Sequence, residues 1–142
     1  MKLESILTTK GSGVLTVRVE QTLNEAVGML GQHNVGALVV VDQTGKPAGI
    51  ISERDVIRAL ARGEGVLAQP VSTVMTKTVI VGSPQDDVEA VMKTMTEKRF
   101  RHLPVMEHGK LIGIVSIGDM VKAQVDQYRG EIETLETQMI GG

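Results

Sequence analysis

Two short stretches carry the residues best suited to chemistry. Gly49-Ile50-Ile51-Ser52-Glu53-Arg54-Asp55 recurs as Gly113-Ile114-Val115-Ser116-Ile117-Gly118-Asp119. Each reads as a glycine, a β-branched run and then Ser-x-x-Asp. A hydroxyl both donates and accepts hydrogen bonds, whereas an ionised carboxylate only accepts them, through two oxygens. Where a strand runs straight into a helix, the helix start adds free N–H groups and a positive dipole end, which together suit anionic groups. The same Ser-x-x-Asp is also a plain helix-capping arrangement. Its recurrence after a glycine-led strand favours a functional reading. Arg54 lies two residues after Ser52 and is a candidate phosphate partner, while its counterpart Gly118 has no charge, so the two sites should differ. Lys98, Arg99, Arg101 and His102 form the densest basic cluster and are further phosphate candidates. The competing account of that cluster is a solvated helix end favoured by the dipole.

Other chemistries find no support. The chain has no cysteine, which excludes disulfides, thiolate nucleophiles and zinc–thiolate sites and leans toward a cytoplasmic location. His33, His102 and His108 lack metal-ligand spacing. Asp86-Asp87 reads as a cap, and no nucleophile with a base can be assigned, so the chain reads as a non-enzyme. Gly63-x-Gly65-x-x-Ala68 imitates a dinucleotide fingerprint, but it follows a helix and Pro70 blocks a helix after it. The net charge of −2 gives no general attraction to nucleic acid or anionic membrane. Phe100 and Tyr128 are the aromatics, too few for a base-stacking platform. No apolar run is long enough to span a bilayer, and the N-terminus has no apolar signal core.

The elements that must position these residues follow from periodicity. The 142 residues suit one compact body, with 42% apolar and 23% charged residues. Residues 2–7 suit a short helix, 10–13 a loop and 14–19 a strand. Thr22 caps a helix carrying Leu23, Ala26, Val27 and Leu30 on one face. Strands at 37–41 and 49–51 flank a hairpin turn, and a helix over 55–62 stops at Gly63. Residues 63–70 form a linker. The plan then repeats: Val71, Val74 and Met75 echo the opening helix, and 79–81 suits a strand. Asp86 or Asp87 caps a helix with Val88, Val91, Met92 and Met95. Strands at 103–106 and 111–115 follow, and Asp119 opens the last helix. Leu23 matches Val88, Leu30 matches Met95 and Val40 matches Val105. The chain divides as repeat 1 (1–65), repeat 2 (66–125) and a helical extension (126–142).

This order, the twofold repeat, the two Gly-h-h-Ser-x-x-Asp endings and Arg101-His102-Leu103-Pro104-Val105 together resemble a tandem pair of cystathionine β-synthase (CBS) domains, a Bateman module. The resemblance covers nearly the whole chain. It implies an α+β fold of two β-α-β-β-α units packed sheet to sheet about a pseudo-twofold axis. It also implies clefts that take adenosine-containing ligands: AMP, ADP, ATP, NAD(H) or S-adenosylmethionine. Asp55 and Asp119 would hold ribose hydroxyls, which suits the two acceptor oxygens of a carboxylate. Ser52 and Ser116 would lie near ribose and phosphate. The base would meet backbone or apolar side chains at Val14, Ala37, Val39, Ile51, Val79, Leu103, Pro104, Val115 and Ile117. Repeat 1 carries Val39 where repeat 2 carries Pro104, so the first cleft matches less well.

The last helix departs from repeat 1. Val121, Val125, Tyr128, Ile132, Leu135 and Met139 alternate steps of four and three, a heptad seam. Either a partner helix covers it, as in a homodimer or with another protein, or it lies on its own domain. The functional expectation is an adenine-nucleotide-binding regulatory module acting on itself or on a partner. The alternative is a structural or interaction module with empty clefts.

Overall fold

The computed structural model describes residues 1–11, 13–77 and 80–141. The elements are α1 (Leu3–Lys10), β1 (Thr16–Arg18), α2 (Leu23–His33), β2 (Ala37–Val41), β3 (Pro47–Ser52), α3 (Glu53–Leu60), β4 (Thr76–Lys77), α4 (Val88–Lys98), β5 (His102–Glu107), β6 (Lys110–Ser116) and α5 (Ile117–Gly141). Short 3-10 turns occupy Glu64–Ala68 and Val71–Thr73, within and just after the stretch expected as linker. The fold is the α+β arrangement expected. Thr22 and Asp87 cap α2 and α4 through the N–H groups of Glu25 and Ala90.

Sheet one runs β1-β2-β3-β4, with β1 parallel to β2 and the other pairs antiparallel. Sheet two is the hairpin β5-β6, flanked by Gly82 in a parallel bridge to Val105. Of the strand expected over 79–81, Val79 lies outside the described residues, and Ile80 and Val81 are not strand. The pairing falls on Gly82, whose N–H donates to the Pro104 carbonyl at 2.8 Å. A Cβ there would meet Leu103 Cδ2 at 2.6 Å and Leu3 Cδ1 at 3.0 Å, so a larger residue would have to displace these two side-chain ends.

Each unit has its own core. Leu23, Ala26, Leu30, Leu38, Val40, Ile51 and Val56 pack together in the first, and Val88, Met95, Leu103, Val105, Val115 and Met120 in the second. A third cluster joins Val39, Val41 and Ile50 of sheet one to Leu111 and Ile114 of sheet two, so the units meet through sheet faces. The period-two alternation of strands explains this. Ile51 and Val115 point toward helices, and their neighbours Ile50 and Ile114 point toward the other unit.

The opening segments are exchanged between the units. Leu3 and Ile6 of α1 are buried in the second core, and Val71, with Val74 and Met75 packed alongside, belongs to the first. The exchange is tied down by backbone bonds. Leu3 N donates to Asp86 O (2.9 Å), and Val71 N donates to Gln21 O (2.7 Å). It also explains the glycine that leads each motif. A Cβ on Gly49 would meet Met75 Sδ at 2.6 Å and the Thr76 carbonyl oxygen at 2.8 Å; one on Gly113 would meet Leu7 Cδ2 at 2.6 Å. Both glycines lie where the exchanged segment crosses the sheet. Gly49→Ala collides with backbone and is expected to cost about 1–3 kcal/mol, whereas Gly113→Ala meets only a movable side-chain end and should cost less. Thermal melts of the two variants side by side check the order.

Candidate functional site: the two Ser-x-x-Asp corners

The two motifs form matching corners. Helices α3 and α5 begin directly after Ser52 and Ser116, so each Asp is the third helical residue rather than the opener. At the first corner Ser52 Oγ accepts from Asp55 N (3.4 Å), and Asp55 Oδ2 accepts from Ser52 N and Ser52 Oγ (both 2.9 Å). At the second, Ser116 Oγ accepts from Asp119 N (3.0 Å), and Asp119 Oδ2 accepts from Ser116 N (2.9 Å). The capping account is therefore true of both corners. It uses one oxygen of each carboxylate.

What happens at the remaining capacity separates the corners. Asp55 is 8% exposed, and its Oδ1 accepts from Thr76 Oγ1 at 2.8 Å. Both of its oxygens are thus held by protein. Asp119 is more open. Lys10 Nζ donates to its Oδ2 at 2.7 Å and to the Ile114 carbonyl at 2.9 Å, and Oδ1 has no protein partner among the described residues. Burial raises the Asp119 pKa, but the Lys10 hydrogen bond and charge and the Ser116 bonds outweigh it, and the carboxyl lies below its ordinary value. Lys10 and Thr76 come from the exchanged segments. Sequence reading missed both, because their role depends on an exchange that no local pattern announces.

His102 opens β5, pairs across with Ser116 and feels the charges of both Asp119 and Asp55. Its pKa is lowered, mainly by burial and then by Lys10, with the two carboxylates opposing. The charges of carboxylates from both units are therefore felt at one imidazole. The expected basic cluster divides at this point. Arg101 and His102 border the Asp119 corner: the Arg101 carbonyl accepts from Ile117 N at 3.0 Å. Lys98 and Arg99 belong to the end of α4. Lys98 lies in its last turn, where a cation suits the dipole, and Arg99 is its left-handed C-cap (φ 59°), matching Asn34 after α2 (φ 52°). Both side chains are exposed and make no hydrogen bond or ion pair among the described residues. Arg54 is exposed in the first turn of α3, where the dipole disfavours a cation, and it too has no protein partner there.

The apolar candidates also sort by position. Val14, Ala37 and Val39 join the inter-unit cluster, beside Ile50, Leu111 and Ile114, which sequence reading did not single out. The side chains of Ile51, Leu103 and Val115 are committed to the unit cores, and Ile117 packs against the second, so Ile51 and Val115 could offer a ligand only backbone. Pro104 is buried in sheet two, and its carbonyl is taken by Gly82. Val79 lies outside the described residues. A separate pocket of about 260 Å³ lies between Ile80–Gly82 and α4, lined also by Phe100 and Leu103. None of the Ser-x-x-Asp residues lines it. Among the described residues no His, Asp and Glu cluster could hold a metal ion, and no helix is long and apolar enough to cross a membrane.

Comparison with known proteins agrees with this architecture. The sequence model of the CBS domain matches twice, at residues 4–62 and 71–126. The CBS domain-containing protein CBSX3, mitochondrial, of Arabidopsis thaliana is 36% identical, covering 99% of this chain and 72% of that protein. Among solved structures, the CBS-domain containing protein ATU1752 from Agrobacterium tumefaciens is 43% identical with a TM-score of 0.81, covering 87% of this chain and 99% of the other. The CBS domain pair of protein MJ0100, solved with 5′-methylthioadenosine and S-adenosyl-L-methionine, is 26% identical with a TM-score of 0.78 over 89% and 98% of the two chains. CBS domain protein PAE2072 from Pyrobaculum aerophilum, complexed with AMP, is 25% identical with a TM-score of 0.73 over 84% and 89%. With two matched domains, exchanged opening segments and sheet-to-sheet packing, the chain belongs to the CBS-domain family as a tandem pair.

Proposed function

We propose that this CBS pair is a regulatory module that binds an adenosine-containing ligand at the Asp119 corner. The observation carrying this reading is the Asp119–Lys10 pair, 2.7 Å apart beside the His102–Ser116 strand pair, with one carboxylate oxygen left without a protein partner among the described residues. A ribose diol donates two hydrogen bonds, and Asp119 can accept both if Lys10 yields or shares Oδ2. Lys10, Arg101 and His102 supply positive charge or donors for phosphate, and the exposed Arg54 of the first unit is a further candidate for that role. Leu111 and Ile114 with Val14 and Ala37 supply aliphatic surface for a base. The ligand-bound relatives hold AMP, S-adenosylmethionine and methylthioadenosine, which share adenosine. ATP and NAD(H) extend the same class. We assign binding rather than catalysis to the site. A ligand there would lie between the two units and change how they sit together, and that change is the signal passed on. The site implies an aqueous compartment holding adenine nucleotides, which we take to be the cytoplasm, although one relative is mitochondrial.

The Asp55 corner supports a second reading for itself. Thr76 and Ser52 already satisfy its carboxylate, so there the motif acts as a structural corner.

Calorimetric titration of the full chain with AMP, ATP, NAD and S-adenosylmethionine tests the proposal. At least one should bind in the micromolar to sub-millimolar range, about −5 to −8 kcal/mol. Heat from none of them would leave a structural module. Arg54→Ala is expected to weaken AMP several-fold more than adenosine, because the lost partner is a phosphate. Equal losses for the two ligands would remove Arg54 from the site.

A further inference from the structure

The two units differ beside their matching helices, α2 and α4. Gly82 bridges Val105 in parallel as Val17 pairs with Val40, so the repeat holds in space at this place. In the first unit Gln21 uses both ends of its amide. Its Oε1 accepts from Arg18 N at 2.9 Å, and its Nε2 donates to Glu25 Oε2 at 2.9 Å. Met29, four residues on from Glu25, lies along the same side of α2 and packs on the first core. The second unit keeps half of this arrangement. Asp86 stands in the place of Gln21, and its Oδ2 accepts from Ser83 N at 2.8 Å. Ala90 and Thr94 stand where the first unit has Glu25 and Met29. Two long side chains are thus replaced by short ones, and both short ones line the pocket of about 260 Å³ beside α4. Asp86 Oδ1 is left with no partner among the described residues, because an ionised carboxylate only accepts and Ala90 has nothing to donate. The other polar groups there are engaged. Asp87 caps α4 and lies 3.8 Å from the Met1 amino group, and Thr94 Oγ1 donates to the Ala90 carbonyl at 3.1 Å.

We propose that this pocket is a second ligand site, separate from the Ser-x-x-Asp corners, and that it takes a small aromatic amine. The ring lies between α4 and Ile80–Gly82, and the positive nitrogen donates to Asp86 Oδ1. Three features select this class. An apolar cavity of about 150 Å³ holds a benzene ring, so this larger one has room for two fused rings. Its walls include Ile80, Val91, Phe100 and Leu103, and Phe100 adds an aromatic contact to the burial of area. Carboxylates are the charged groups among its lining residues, so a cation is drawn in and an anion of the same shape is repelled. The site does not depend on what the corners bind.

The chain has no tryptophan, so an indole probe can be excited apart from the protein. Fluorescence anisotropy of tryptamine, titrated with the full chain, is expected to give a Kd of about 0.1–1 mM. Neutral indole and anionic indole-3-acetate should each bind about ten-fold more weakly or worse. Asp86→Asn keeps an amide oxygen for Ser83 N but loses the charge, and should bring tryptamine down to the level of indole. Thr94→Met restores the first unit's side chain. It should abolish binding of all three probes while the melting temperature stays level or rises, as it does when a cavity is filled. Excess AMP should leave the bound tryptamine in place. If Thr94→Met does not fold, the comparison of tryptamine with indole on wild type and Asp86→Asn still decides. No anisotropy change at about 1 mM protein, equal binding of tryptamine and indole-3-acetate, unchanged binding by a folded Thr94→Met, or displacement by AMP would each overturn the proposal.

Discussion

A chain cut after Gly65 is expected to show no cooperative unfolding transition. Sheet-to-sheet packing alone would suggest that the halves fail because they share one core. The actual reason is different. Each half has its own core, but that core is completed by a segment from the other half of the sequence. The 1–65 fragment lacks Val71, Val74 and Met75, and it loses β4 from the edge of its sheet. It also carries α1, whose buried Leu3 and Ile6 have nothing left to pack on. A fully buried Val or Leu contributes about 1.5–3 kcal/mol, and a small domain's net stability is only about 5–15 kcal/mol, so these losses are comparable to the whole. The contrasting fragment is 13–77, which drops α1 and regains the segment that the first core needs. It should recover helical signal and a transition, while its uncovered Val39, Val41 and Ile50 face drives association. Circular dichroism melts of the two fragments decide the matter. A cooperative transition from 1–65, or none from 13–77, would mean that the exchange does not complete the core.

The contrast between these fragments marks where sequence reading ends. The twofold plan, the helix faces, the cap at Thr22 and a cap at Asp86 or Asp87 were legible because each rests on local periodicity or local capping chemistry. The repeat itself, from Leu23 with Val88 to Gly49 with Gly113, made the family resemblance readable. The exchange was not legible: Leu3, Ile6 and Leu7 look the same whichever core receives them. Lys10 and Thr76 stayed hidden for the same reason, since their partners Asp119 and Asp55 are remote in sequence. Burial direction was only half legible. Ile51 and Val115 were singled out for the cleft beside Ile50 and Ile114, yet a one-residue step along a strand reverses the face. The basic cluster was legible as composition, but Arg99 takes the left-handed C-cap role that Asn34 plays in the first unit, which composition does not reveal.

Asp119→Ala is expected to reduce affinity for an adenosine ligand about 10- to 150-fold, since each hydrogen bond to a charged acceptor is worth roughly 1.5–3 kcal/mol. Alanine alone does not separate binding from capping, because Asp119 Oδ2 also accepts from Ser116 N and Lys10 Nζ. Asp119→Asn is the sharper variant. An amide oxygen can keep the Ser116 contact, while the second acceptor and the charge that holds Lys10 are gone. Asp119→Asn should therefore melt close to wild type but bind nearly as poorly as Asp119→Ala. Lys10→Met completes the set, because Lys10 both competes for the carboxylate and supplies charge. Without it Asp119 is freed for ribose, so adenosine should bind at least as tightly as before. AMP should lose affinity relative to adenosine, because a cation near the phosphate has gone. The same Asp55→Asn change, at a carboxylate whose two oxygens are already held by Ser52 and Thr76, should alter stability more than binding. If Asp119→Asn binds like wild type while Asp119→Ala fails to fold, the carboxylate at this corner is a cap and nothing more.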